Sequence, residues 1–191
     1  IQDIVDGDWT PPELDRLLAE GGVNGAIIHS ESWGDDTTAY TERAGVLDRW
    51  SRENPWSVVL FAPGNTGTTV LEPANARNVI SVGASSGSDG VYQQSSKGPA
   101  FEGGEGIHVL APGYSVLSAK ADGTSQTVNG EFMSKTGTSM STPMAASTLG
   151  LFEQMVRGGW LLGDETAIHP LPIDDLRPAW WPPETQSQGT L

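Results

Sequence analysis

The sequence predicts a three-layer α/β fold built on a mostly parallel sheet. Four short apolar runs carry the first half of that expectation: GAIIHS (25–30), SVVLFA (57–62), NVISVGA (78–84) and the weaker IHVLA (107–111). They have the length of buried strands and lack the apolar–polar alternation of a strand with one wet face. The second half comes from the helical segments set among them, because strands alternating with helices are the pattern of a parallel sheet covered on both faces. A chain of 191 residues is long enough for one ordinary domain with a real core.

The elements follow in order. Thr10, Pro11, Pro12 and Glu13 form a capping-box start for a first helix, with Leu14, Leu17 and Leu18 at helical spacing and Gly21 and Gly22 as its stop. YTERAGVLDRWSRE (40–53) reads as an amphipathic helix ended by Asn54 and Pro55. Trp50 and Trp56, around its end, read as core or shoulder residues. A last helix begins near Ser139 with small or apolar residues on nearly every side, from Met140 to Met155, and ends at Arg157, Gly158 and Gly159; that pattern predicts a buried central helix. Residues 1–159 therefore form the domain. Residues 160–191, with Trp160, Trp180, Trp181, many prolines and no period, are expected to be a loosely attached tail. At the other end Ile1 opens directly into IQDIVDGD, which reads as the middle of a strand and its exit loop, so a fragment is expected.

Composition narrows the function. Ten Lys and Arg against 24 Asp and Glu give a net charge of −14, which argues against nucleic acid as a partner, since phosphates need basic neutralisation. No apolar run reaches the roughly 18 residues of a membrane span. Cysteine is absent, which excludes disulfides, zinc–thiolate sites and thiol nucleophiles. The acidic residues Asp35, Asp36, Asp174 and Asp175 follow no spaced calcium-loop pattern and read as solvated surface.

Ser139 sits at the amino end of its helix, where its own backbone N–H and the helix dipole point at any negative charge forming nearby. On that placement alone, helix capping is the commoner role of a serine. The flanking residues change this. GTSMSTPMAAS (137–147) resembles the nucleophile motif of the subtilisin-like serine proteases, the subtilases. VVLFAPGNTG (58–67) resembles that family's strand and loop ending in Ala-Gly-Asn. SSKGPA (95–100) and IHVLAPGYSVLSA (107–119) resemble the segments leading to the serine, and IIHSESWGDD (27–36) resembles the strand that lines the substrate cleft.

The resemblance implies a subtilisin-like fold, incomplete in this chain, and a serine endopeptidase acting through an acyl-enzyme on Ser139. It implies Asn65 as the oxyanion-hole asparagine, Ser32, Trp33 and Gly34 as one wall of the specificity pocket, and Ala62, Pro63 and Gly64 as the opposite wall. A polypeptide is the implied substrate, the implied location is extracellular, and the chemistry needs no cofactor, although subtilase loops often bind structural calcium. Four positions depart from the family. Pro63 removes a backbone donor from a pocket wall. Met144 is expected to pack inside the helix, His108 stands where an acidic residue is common, and Glu31 either attracts basic groups or faces solvent.

The larger departure is the missing base. A subtilase serine is activated by a histidine held by an aspartate, and neither glycine-rich Asp nor His motif occurs in the sequence. By resemblance both belong to an upstream segment of the same enzyme, so the isolated chain is expected to be inactive or nearly so. His29 and His108 lie in strands and His169 in the tail, and each reads as structural. A rival triad of Ser139, Asp164 and His169 in α/β-hydrolase order lacks the Gly-x-Ser-x-Gly elbow, because Ser141 takes the last position. The competing class is a non-catalytic subtilase-like binding or structural module.

Overall fold

The computed structural model describes residues 13–87, 90–120 and 130–157. The elements run α1 (Leu14–Val23), β1 (Ile28–Glu31), α2 (Glu42–Glu53), β2 (Val58–Phe61), β3 (Ile80–Ser85), β4 (Val109–Pro112), β5 (Val116–Ala119), β6 (Phe132–Lys135) and α3 (Thr138–Arg157). β1 to β4 form one sheet in the order β1-β2-β3-β4, parallel throughout, with Leu60 of β2 in register between Ser30 and Ile80.

Side chains alternate across β2 and so assign the layers. Val59 and Phe61 enter a core with Leu14, Leu17 and Leu18 of α1 and Ala44, Leu47 and Trp50 of α2. Val58 and Leu60 face the other way, with Val82 and Ala111, onto Ala145, Ala146 and Leu149 of α3. A period of two in a strand buried on both faces yields three layers, as predicted. Each fully buried Phe or Leu contributes roughly 1.5–3 kcal/mol relative to exposure.

Two boundaries differ from the sequence reading. Helix α1 does not stop at Gly21 and Gly22 but continues to Val23, where Asn24 closes it by donating its N–H and Nδ2 to Glu20 O (3.3 and 2.8 Å). Gly21 serves closeness instead of termination: a Cβ there would sit 3.0 Å from the His29 ring of β1. At the other end Glu13 precedes the helix without a side-chain cap, and Thr10, Pro11 and Pro12 lie outside the described residues. Helix α2 behaves as read. Thr41 caps its start by accepting from Arg43 N (3.2 Å), and Asn54 closes its end on Trp50 O.

Two further expectations are corrected. The hairpin β5–β6, antiparallel with Val116 opposite Lys135, was not among the predicted strands; VLSA and FMSK are too short to show a period. Helix α3 is buried on one face only, since Met144, Leu151 and Phe152 are 42–63% exposed. Met144 therefore does not pack inside. The tail from residue 160 lies outside the described residues, as do Asp174 and Asp175. Among the described residues no helix is long and apolar enough to cross a membrane.

His29 is buried edge-on against Trp50, and its Nε2 has no hydrogen-bond partner. Burial pushes its pKa down to about 4. The unfolded chain thus takes up this proton near pH 6.5 and the folded chain only near 4. The resulting stability is complete above about pH 6.5 and drains away as pH falls toward 4. Comparing urea unfolding at pH 7 and pH 4.5, the native chain is expected to lose about 2–3 kcal/mol more than His29→Leu. An equal loss in both would exclude His29 as the source.

Candidate active site

Ser139 lies in the first turn of α3, where backbone N–H groups have no intrahelical acceptor. The turn that delivers it passes through Gly137 at φ +146, a conformation strained for L residues. A Cβ on Gly137 would also come within 3.1 Å of Asn65 Oδ1. Gly137 N–H donates to Gly113 O (2.8 Å), which joins the turn to the end of β4.

Asn65 stands in the loop after β2. Its Oδ1 accepts the Thr138 N–H at 2.9 Å, so the side chain caps α3 from another element. Once the oxygen is engaged, the amide is oriented and its Nδ2 donor has no protein partner among the described residues. Thr138 is fully buried, and its Oγ1 donates to Gly64 O (3.2 Å). Ser141 and Thr142, also fully buried, donate their hydroxyls back to Thr138 O.

Ser32, in the loop after β1, is drawn in by a proline. Pro143 has no N–H to bond the carbonyl four residues earlier, that of Ser139. Ser32 Oγ donates to this carbonyl at 3.0 Å. Sequence reasoning assigned Ser32 to a pocket wall but missed this bond; the signal available was the proline five positions into the helix.

A cavity of about 280 Å³ opens beside these groups, lined by Ser32, Trp33, Gly34, Ala62, Gly64, Asn65, Thr138 and Ser139. Leu71, Glu72, Asp35 and Asp36 complete it. Seven of the eight residues assigned to the site by resemblance are brought together at this cavity. The eighth, Pro63, is fully buried behind the wall, and its carbonyl accepts from Leu71 N (2.9 Å). Trp33 is buried edge-on against Phe61 with Arg43 over its ring at 5.9 Å.

Beneath this wall is a charge network that the sequence did not reveal. Glu72 is buried to 1% exposure, accepts from Thr41 Oγ1 (2.5 Å) and pairs with Arg43 at 3.4 Å. Arg43 also pairs with Asp35. Burial pushes the Glu72 pKa up, against the Thr41 hydroxyl and the Arg43 guanidinium, which pull it down. Glu72 O accepts the Asp35 N–H (2.9 Å), and a Cβ on Gly34 would lie 2.6 Å from that oxygen, so only glycine fits there. Glu31 is part-buried, and among the described residues it pairs with no basic group. It accepts from Trp33 Nε1 (2.6 Å), and burial pushes its pKa up more than that bond lowers it.

The histidines are engaged elsewhere. His29 belongs to the α1–α2 side of the sheet, and His108 Nδ1 accepts from Ser81 N (2.9 Å) with Nε2 3.9 Å from Glu105. His169 and Asp164 lie outside the described residues. Among the described residues Ser139 Oγ has no hydrogen-bond partner, and no group of three or more metal-ligating side chains comes together.

Comparison with known proteins agrees with this geometry. The family model described as Subtilase family matches residues 7–166. The chain is 34% identical over 148 residues to Serine protease AprX of Bacillus subtilis (strain 168), covering 66% of this chain and 33% of that protein. It is 32% identical over 124 residues to an Extracellular protease of Xanthomonas campestris pv. campestris, covering 63% of this chain and 19% of the relative. The chain thus spans a third or less of these two relatives. Among solved structures, the Prenylagaramide maturation protease PagA superposes with a TM-score of 0.63 at 24% identity, covering 82% of this chain and 55% of that one, a likeness of fold. With a family match across most of the chain and the same motifs converging on one cavity, the chain belongs to the subtilase family of serine proteases.

Proposed function

We propose that this chain is the nucleophile-bearing part of a serine endopeptidase. The observation that carries the reading is the meeting of Ser139 and Asn65 at one cavity, with the Asn65 amide oriented by Thr138 so that its Nδ2 is free to donate. Ser139 attacks the scissile carbonyl, and the oxyanion that forms is held by the Ser139 N–H and Asn65 Nδ2. Ser32 to Gly34 and Ala62 to Gly64 line the path of the substrate, a polypeptide that pairs as an added strand. The chemistry takes place on side chains of the whole enzyme, Ser139 and Asn65 among them, and needs no cofactor.

The aspartate and histidine of the triad come from an upstream segment of the same enzyme. Support lies in the uncovered surface: β1 and β4 each pair on one side only among the described residues, and Leu151, Phe152, Val109 and Leu110 expose apolar side chains. Such a surface calls for a partner layer. The relative from Xanthomonas, an Extracellular protease by name, supports a secreted enzyme. The unpartnered Ser139 Oγ equally suits a non-catalytic module, and the two readings part at the upstream Asp and His motifs.

Fluorophosphonate labelling tests the reading. Ser139 in the complete polypeptide is expected to react rapidly and Ser139→Ala not at all, while the 191-residue chain alone stays essentially unlabelled for want of a base. Rapid labelling of the isolated chain would overturn the claim that its base lies elsewhere. No labelling of the complete protein would favour the non-catalytic module. Asn65→Asp keeps an acceptor for the Thr138 N–H, deletes the donor and adds a carboxylate charge where the oxyanion forms, so loss of the donor sets the lower bound of its effect. It is expected to lower kcat of the complete enzyme by about 10²–10³, the magnitude established for the equivalent donor of subtilisin. A variant within a few-fold of the parent would remove Asn65 from the oxyanion site.

A further inference from the structure

We infer that the cavity beside Ser139 selects a basic side chain, lysine or arginine, on the acyl side of the scissile bond, with Asp36 as the residue that meets its charge. This rests on the endopeptidase reading and names its substrate class. The cavity defines the site; the carboxylates decide its preference.

The cavity has an apolar sleeve and an acidic rim. Ala62, Leu71 and Trp33 supply the sleeve, Asp35 and Asp36 the rim carboxylates, and the Glu72 carboxylate lies buried beneath them. Arg43 is the cation paired with them, and it is committed to Asp35 and Glu72. Asp36 has no hydrogen-bond or ion-pair partner among the described residues, and it is exposed at the rim. Three carboxylates against one guanidinium leave two negative charges, and one remains if Glu72 carries a proton.

Each class of substrate side chain fares differently here. An acidic one would bring a carboxylate toward uncompensated carboxylates, which is repulsive. An apolar one would gain the sleeve alone. A lysine or arginine lays its methylene stem along the sleeve and carries its charge to Asp36, gaining a charge-assisted hydrogen bond besides. Glu72 and Arg43 keep the rim in place, because Glu72 O holds the Asp35 backbone while Arg43 holds its carboxylate. The net charge of −14 adds a field that draws cationic peptides inward.

The test uses the complete polypeptide with paired peptide substrates that differ only in arginine or norleucine before the scissile bond. The ratio of kcat/KM, arginine over norleucine, is expected to exceed one and to fall about two- to fivefold in Asp36→Asn, the scale of a lost ion pair at an exposed rim. A norleucine preference, or a ratio unmoved in Asp36→Asn, overturns the inference while leaving the endopeptidase reading intact. Absence of hydrolysis of either peptide together with no fluorophosphonate labelling overturns the endopeptidase reading instead. In that case Trp fluorescence titration of the 191-residue chain with the two peptides as amides decides: tighter binding of the arginine peptide, lost in Asp36→Asn, supports the inference, and equal binding ends it.

Discussion

The first turn of α3 carries backbone groups that the helix cannot satisfy itself, and the site is assembled around their satisfaction. Thr138 N–H goes to Asn65 after β2, Ser139 C=O is taken by Ser32 after β1, and Gly137 N–H goes to Gly113 after β4. The first and third follow from the open start of any helix. The second exists because Pro143 frees a carbonyl that an ordinary residue would have occupied. One helix end is thereby tied to the carboxyl ends of three parallel strands, which is where open α/β sheets collect their ligands. Ser139, Asn65 and Ser32 meet at one cavity because the helix needed partners.

A second framework supports the opposite side of the cavity. Glu72 is a buried carboxylate whose cost is offset by Thr41, the cap of α2, and by Arg43 two residues onward. The same guanidinium holds Asp35 and stacks over Trp33. The start of α2 and the wall of the cavity are therefore joined by side-chain bonds. This arrangement links the layer of α1 and α2 to the site, while α3 brings the serine from the other face of the sheet.

The three layers are unequal. The α1–α2 side encloses Leu18, Leu47, Val59 and Phe61 completely, whereas the α3 side buries Leu60, Val82 and Ala111, leaves Ile28, Val58 and Ile80 partly covered and Leu151 and Phe152 to solvent. A helix apolar all round is normally enclosed. Here α3 carries more apolar residues than the described residues bury, and β1 and β4 are the edges of the described sheet.

By itself the sequence determined the parallel sheet, the end of α2 at Asn54 and the motifs that carry Ser139 and Asn65, because these rest on local periods, end signals and contiguous residues. Only the tertiary structure decided what depends on segments far apart in the chain. Gly21 reads as a helix stop and proves to be room for His29, eight residues on. Glu72 gives no local signal, yet it anchors Asp35 from 37 residues away. Asp36 reads as solvated surface until the fold sets it on the rim of the cavity beside Ser139. The β5–β6 hairpin was illegible because four-residue strands carry no period. Local chemistry is written along the chain, but which charges meet which backbone groups is fixed only when the strands bring their ends together.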